Sequence, residues 1–179
     1  MIRLGCMGIV AFATIAAMTS SAGADDPPSA AAAKQVTGLF VQSCVRFAGD
    51  KDGLRGWAGK TGLKVLPTGV QDRFLYGLPG MVFDASNTVG KFVLVSEDGG
   101  SCSVVAEMAS GPGVITDLEQ DLNDARITFK VTAERADAEE KALKHREYQA
   151  SQGERGWLLL VSTVKNSEGG QAMLTANRY

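Results

Sequence analysis

The 179-residue chain contains one histidine, three cysteines and no dense block of basic residues. Each scarcity removes a chemistry. A lone histidine with so few cysteines cannot assemble the usual nitrogen–sulfur zinc site. No CxxC pair occurs, so a dithiol redox motif is excluded. Lysine and arginine number 18 against 20 acidic residues, for a formal net charge of −2. No stretch reaches the basic density of a nucleic-acid surface. The glycine total of 21 is high, yet neither GxxxxGK[ST] nor GxGxxG is present to cradle a phosphate. No GxSxG elbow frames a serine. Beyond the N-terminus, no apolar run is long enough to cross a bilayer.

What is present begins with a targeting pattern. Arg3 precedes an apolar stretch over residues 4–18, and Ala22-Gly23-Ala24 offers an Ala-x-Ala cleavage site. The stretch is shorter than the roughly 20 residues a spanning helix needs. Residues 1–24 therefore read as a signal peptide cut between Ala24 and Asp25, which predicts a soluble, periplasmic protein without stable membrane insertion. Cys6 starts the apolar core, with no hydrophobic segment before it to guide lipidation, and leaves with the signal. Cys44 and Cys102 remain, and an even pair in an exported chain predicts a disulfide between them. Residues 25–30 read as a mobile leader and 31–179 as a single globular domain.

Along that domain, Val36, Leu39, Phe40, Cys44 and Phe47 recur at helical spacing and predict a first helix over 30–47. A short second helix is expected over 50–59, carrying Leu54 and Trp57 inward. Residues 63–69 form an extended connector that Pro67 keeps from being a central strand. Residues 70–77 make two helical turns with Val70, Phe74 and Leu75 buried, and Met81 to Phe83 are extended. Apolar runs at 90–96 and 101–108 flank Glu97-Asp98-Gly99-Gly100, a hairpin signal. Val114, Ile115, Leu118 and Leu122 share a helical face. Alternation then predicts strands from Ile127, from about Leu143, through GWLLLVSTVK and through AMLTANRY. This order predicts an α+β fold, with N-terminal helices and one internal helix packed on a single antiparallel sheet of about five to six strands.

Candidate chemistry is sparse. His145 lies among charges on an expected exposed edge and reads as solvated. To act as a base it would need a nucleophile and an orienting acid nearby in space. Ser96, Ser101, Ser103 and Ser110 carry no nucleophile signature. Asp117, Glu119, Asp121 and Asp124 lack the calcium-loop spacing and read as a solvated helix face. Asp84, Glu97, Asp98 and Glu107 lie around the hairpin, and nothing in their spacing selects a catalytic pair. Trp57, Trp157, Phe40, Phe83 and Phe92 read as core. Tyr76, Tyr148 and Tyr179 read as exposed aromatics able to anchor a partner.

The segments LFVQSCVRFAGD, GLPGMVFDASN and GKFVLVSEDGGSCSVVAE resemble a family of small exported proteins and lipoproteins of Gram-negative bacteria. The resemblance covers about residues 36–107 and includes both Cys44 and Cys102, which supports their pairing. It implies a compartment and a fold and transfers no active site. No cysteine stands at the mature N-terminus, so this chain departs from the lipoprotein members. No catalytic, metal-binding or cofactor-binding residue is assigned, and no cofactor is expected. The leading expectation is a non-catalytic binding protein, such as an inhibitor or immunity-type protein with an envelope protein partner. The alternatives are an envelope-acting hydrolase using carboxylates, or a small-ligand binder with a pocket between the sheet and the N-terminal helices.

Overall fold

The computed structural model describes residues 28–164 and 170–179. Ala24 and Asp25, and with them the expected signal peptide, lie outside the described residues. Helix α1 (Pro28–Phe40) runs on through a π segment (Val41–Val45). The described chain thus starts helical, and residues 28–30 of the expected leader belong to α1. The π segment widens one turn, and Ser43, Cys44 and Val45 are all buried there. Next come α2 (Lys51–Lys60), β1 (Lys64–Val65), α3 (Thr68–Leu75) and β2 (Gly80–Asp84). The β3 (Phe92–Glu97) and β4 (Cys102–Ala106) hairpin leads into α4 (Gly111–Asp124). A meander closes the chain: β5 (Thr128–Ala136), β6 (Leu143–Gln152), β7 (Arg155–Val164) and β8 (Ala172–Arg178).

Local chemistry sets the boundaries. The Asp50 side chain accepts from the Gly53 amide and starts α2. Ser110 does the same for α4 through Gly113, with Pro112 in the first turn. Gly113 also lies where an added Cβ would come within 3.1 Å of Ala33, so the small residue lets α4 close onto α1. In the hairpin, Gly100 takes φ of 92° and donates to the Glu97 carbonyl.

The fold is α+β, with four helices on one antiparallel sheet. The sheet has eight strands, in the order β1-β2-β3-β4-β8-β7-β6-β5, rather than five or six. The excess comes from β1 and β2, which look like connectors in sequence. Val65 pairs with Phe83 and Leu94 with Phe83, so a two-residue edge strand and its neighbour extend the hairpin's sheet. Helix α4 carries the chain across the sheet to β5 at the far edge. The meander then returns until β8 lies between β4 and β7.

One face of the sheet is closed by α1 and α4. Phe92, Leu94, Val104, Ala106, Leu159, Val161, Leu174 and Ala176 meet Ala33, Val36, Phe40, Val114, Leu118 and Leu122 in one dry core. This core fills the space between the sheet and the N-terminal helices, where a ligand pocket was one expectation. Thr37 donates to Asp121 at 2.7 Å across the α1–α4 seam. Val82 and Val95, on the opposite face, are covered by Leu75 and Phe74 of α3. Val70, expected to be buried, is exposed on α3.

Cys44 and Cys102 are disulfide-bonded, with Cα atoms 5.1 Å apart. The bond staples the π segment to the first residue of β4. With 58 residues of separation, chain entropy gives a stabilisation of about 4 kcal/mol. Intact protein should weigh about 2 Da less than its reduced form. Reduction, or the double change Cys44→Ser with Cys102→Ser, should lower the urea midpoint by an amount equivalent to about 2–4 kcal/mol.

Candidate functional site

Beyond α3, no helix among the described residues covers the second face of the sheet. Strand alternation sets what it shows. Positions 93 on β3, 103 and 105 on β4, 173 and 175 on β8, 162 and 164 on β7, and 143 and 145 on β6 all point away from the helical core. All of these except 175 form the floor of a trough of ≈ 850 Å³ between α3 and the β5–β6 connection. One row across it reads Asp84, Val93, Val105, Met173, Ser162 and His145, from the strand register. The floor is apolar in the middle. Polar groups gather at the two sides.

The α3 wall depends on close packing. At Gly80 a Cβ would lie 2.7 Å from Leu75 and 2.7 Å from the Ser96 carbonyl, so only glycine lets α3 sit this near β2 and β3. Gln71 ties the same wall down, donating to the Leu66 carbonyl and accepting from the Val82 amide. Helix α3 ends at Tyr76 in the left-handed conformation, φ 50°, ψ 36°. Glycine or asparagine is usual there. Tyr76 is 83% exposed and lines the trough. A bulky residue held in this conformation costs about 1–2 kcal/mol, and such strain is concentrated at working surfaces.

At the other side, His145 has the neighbours that the sequence did not reveal. Its Nδ1 is 2.8 Å from the Ser162 hydroxyl and its Nε2 is 3.1 Å from Asp137 Oδ2. The His145 side chain is only 16% exposed, so the expectation of a solvated histidine is corrected. Its own strand is interior: β6 pairs with both β5 and β7. Ser162 lies directly opposite His145 on β7. Asp137 follows β5, and its other oxygen accepts from the amides of Glu139 and Glu140. Those bonds hold the Asp137 carboxyl down to about 2, the Glu140 amide first, then His145 and the Glu139 amide. Arg135 and Glu147, which pair with each other, flank the same side of His145.

The arrangement has the order nucleophile, imidazole, carboxylate. Ser162 sits in mid-strand with neighbours on both sides, and the two turn amides near Asp137 are already bonded to it. Among the described residues, a further hydrogen bond to a group at Ser162 comes from a side chain. Gln171, on the trough floor diagonal to Ser162, is placed for that.

The other candidate residues are dispersed. Ser96 is held by Arg55, Ser110 caps α4 and Ser103 bonds Thr175 at 2.9 Å, while Ser101 belongs to the hairpin turn. Glu97 and Glu107 both line the trough. They stand at opposite ends of the hairpin, about 20 Å apart along the strand, beyond the roughly 5–9.5 Å of a glycosidase pair. Glu107 pairs with Lys91, and Asp98 with Arg55 and Lys51. Hydrogen bonds from Ser86 lower the Asp84 pKa, and the Arg55 hydrogen bond lowers that of Asp98.

The acidic face of α4 is also not simply solvated. Asp121 accepts from Thr37, and Glu119 accepts from Tyr148 at 3.0 Å and pairs with Arg146. Tyr148, expected to be exposed, is 0% exposed. Burial, then the nearby Glu119 charge, raises its hydroxyl pKa. The physical reason is the strand's alternation, which turns Tyr148 towards α4 and His145 away from it. Among the described residues no cluster of His, Cys, Asp or Glu could hold a metal, and no helix is long and apolar enough to cross a membrane.

No protein-family model, curated protein or solved structure matches the chain.

The Asp137 interactions generate a pH prediction. Its pKa is depressed on folding, so its contribution is present above the ordinary value of 3.8 and is lost as pH falls from there through about 2. Asp137→Asn should flatten the urea-midpoint profile over that interval. It should also speed hydrogen exchange at the amides of Glu139 and Glu140.

Proposed function

We propose that this chain is a binding protein whose ligand lies in the trough on the uncovered face of the sheet. The observation that carries the reading is a concave, apolar floor on which Val93, Val105, Val164 and Met173 stand together, each at least partly exposed. Its volume of ≈ 850 Å³ falls in the range of small-ligand sites, about 300–1,000 Å³. That size favours a small apolar ligand over the expected envelope protein partner. An inhibitor or immunity-type role would use the same surface, with a partner's side chains in place of the ligand.

The compartment belongs to the same proposal. The N-terminal pattern over residues 1–24 and the Cys44–Cys102 bond both support export to the periplasm. N-terminal sequencing of the exported chain should begin at Asp25. A chain that retains Met1 in the envelope fraction would overturn cleavage.

Binding is tested with an uncharged, environment-sensitive apolar dye. Wild type should bind it at micromolar concentration with a blue-shifted emission. Met173→Asp and Val105→Asp, which put charge on an already part-exposed floor, should weaken binding at least about tenfold. Their melting temperatures should stay within a few degrees of wild type. Tyr76→Gly should weaken binding too, yet raise stability by about 1 kcal/mol as the backbone strain is relieved. Equal dye binding by wild type and both floor variants would remove the trough from consideration.

A further inference from the structure

The trough ends on Ser162 and His145, backed by Asp137, a set that binding alone does not require. Ser162, His145 and Asp137 are hydrogen-bonded in series, at 2.8 Å and 3.1 Å. They are brought together from β7, β6 and the turn after β5. The apolar floor begins next to Ser162, since Met173 is its direct neighbour on β8. We propose that Ser162 is a nucleophile for acyl transfer, with His145 as its base, and that the substrate is a carboxylic ester whose apolar acyl chain lies along Met173, Val105 and Val93. This inference rests on the trough being the binding site and adds a reaction to it.

The chemistry follows from the geometry. When the ring is neutral with its proton on Nε2, that N–H donates to Asp137 and Nδ1 accepts from the Ser162 hydroxyl. Asp137 is a positioning residue: its second oxygen is fixed by two backbone amides, and it holds the ring in this tautomer. In the first step Ser162 Oγ bonds to the ester carbonyl carbon, and His145 Nδ1 takes the hydroxyl proton. The carbonyl–oxygen bond to the alcohol then breaks, and the same proton passes to the departing oxygen. In the second step water attacks the acyl-serine while His145 takes its proton. That proton returns to Ser162 Oγ as the carboxylic acid leaves.

The structure also sets the expected rate. Among the described residues no backbone amide bonds to Ser162 Oγ, and the side-chain donor that the strand register places beside it is Gln171. It is a diagonal neighbour about 7–8 Å away along the sheet, within reach of a long side chain. One side-chain donor replaces the usual pair of amides, and each missing donor costs about 10²–10³ in rate. The site should therefore acylate readily with activated esters and turn over slowly.

The test uses the chain as it exists after export, with its disulfide intact. A fluorophosphonate probe is added, and the labelled residue is located by mass spectrometry. In parallel, p-nitrophenyl acetate and octanoate are compared for nitrophenolate release. The expected result is a single label on Ser162, a burst of release followed by a slow phase, and octanoate favoured at least about tenfold in kcat/KM by its longer apolar chain. Ser162→Ala should abolish the label, and His145→Gln should slow labelling at least about a hundredfold. Asp137→Asn should lower kcat with KM unchanged, and Asp137→Glu should restore part of it. All four variants are checked for folding by near-UV circular dichroism.

Absence of a Ser162 label in folded wild type overturns the inference. So does ester hydrolysis that persists unchanged in folded Ser162→Ala. The apolar-dye measurement separates the two readings. Dye binding without labelling ends the reaction and leaves the binding site, whereas loss of dye binding in wild type ends both.

Discussion

Strand β8 has ladders on both sides, to β4 and to β7, and the rest of the architecture depends on that double pairing. It joins a hairpin-based half of the sheet, built early in the chain, to a meander built last. Leu174 and Ala176 are fully buried on its inner side, and Ala172 nearly so. The alanines are small enough for α1 and its π segment to approach the sheet closely. The contacts that make one domain out of two halves are therefore long-range. Such topology makes for slow folding. The Cys44–Cys102 bond acts in the same region, tying the π segment after α1 to the strand beside β8.

The same join creates the trough. Eight strands are wider than the helices available to cover them. The two long helices spend themselves on one face, and α3 is only eight residues long. It covers β2 and β3 and stops. Strands β4, β8 and β7 are left with one side buried and the other largely open, and their outward positions are a mixture of valine, leucine, methionine, serine, threonine and asparagine. That mixture is more apolar than a solvated face requires and more polar than a core tolerates. That composition is what the proposed binding surface requires.

Three polar features are arranged around this surface on different principles. Ser103 and Thr175 satisfy each other across a strand pair. Tyr76 stands at the rim in the left-handed conformation that ends α3. His145 is set between a serine and a carboxylate that is itself locked by the turn it caps. The first is explained by sheet packing. The other two impose restrictions that packing alone does not need.

Much of the fold is legible in the sequence, because the information is local. The Asp-Gly-Gly turn between two apolar runs, the 3–4 spacing from Val114 to Leu122, and the alternation from Ile127 are written within a few residues each, and they appear as β3–β4, α4 and β5. The cysteine pair is legible by arithmetic. The strand β1 is not: two residues beside a proline carry no period, and only pairing with β2 makes them a strand. Residues at the site are less legible still. Asp137, His145 and Ser162 are separated by 8 and 17 positions, with no motif between them. Their meeting is a matter of register, which hydrogen bonds between whole strands decide. Likewise Tyr148 and His145 stand in one charged stretch and differ only in parity. The sequence by itself determined most of the helices and strands and which cysteines can pair, since periodicity and count act within the chain. The tertiary structure alone decided which side of each strand faces water and which distant side chains touch, because a strand's face has no meaning until its neighbours are in place.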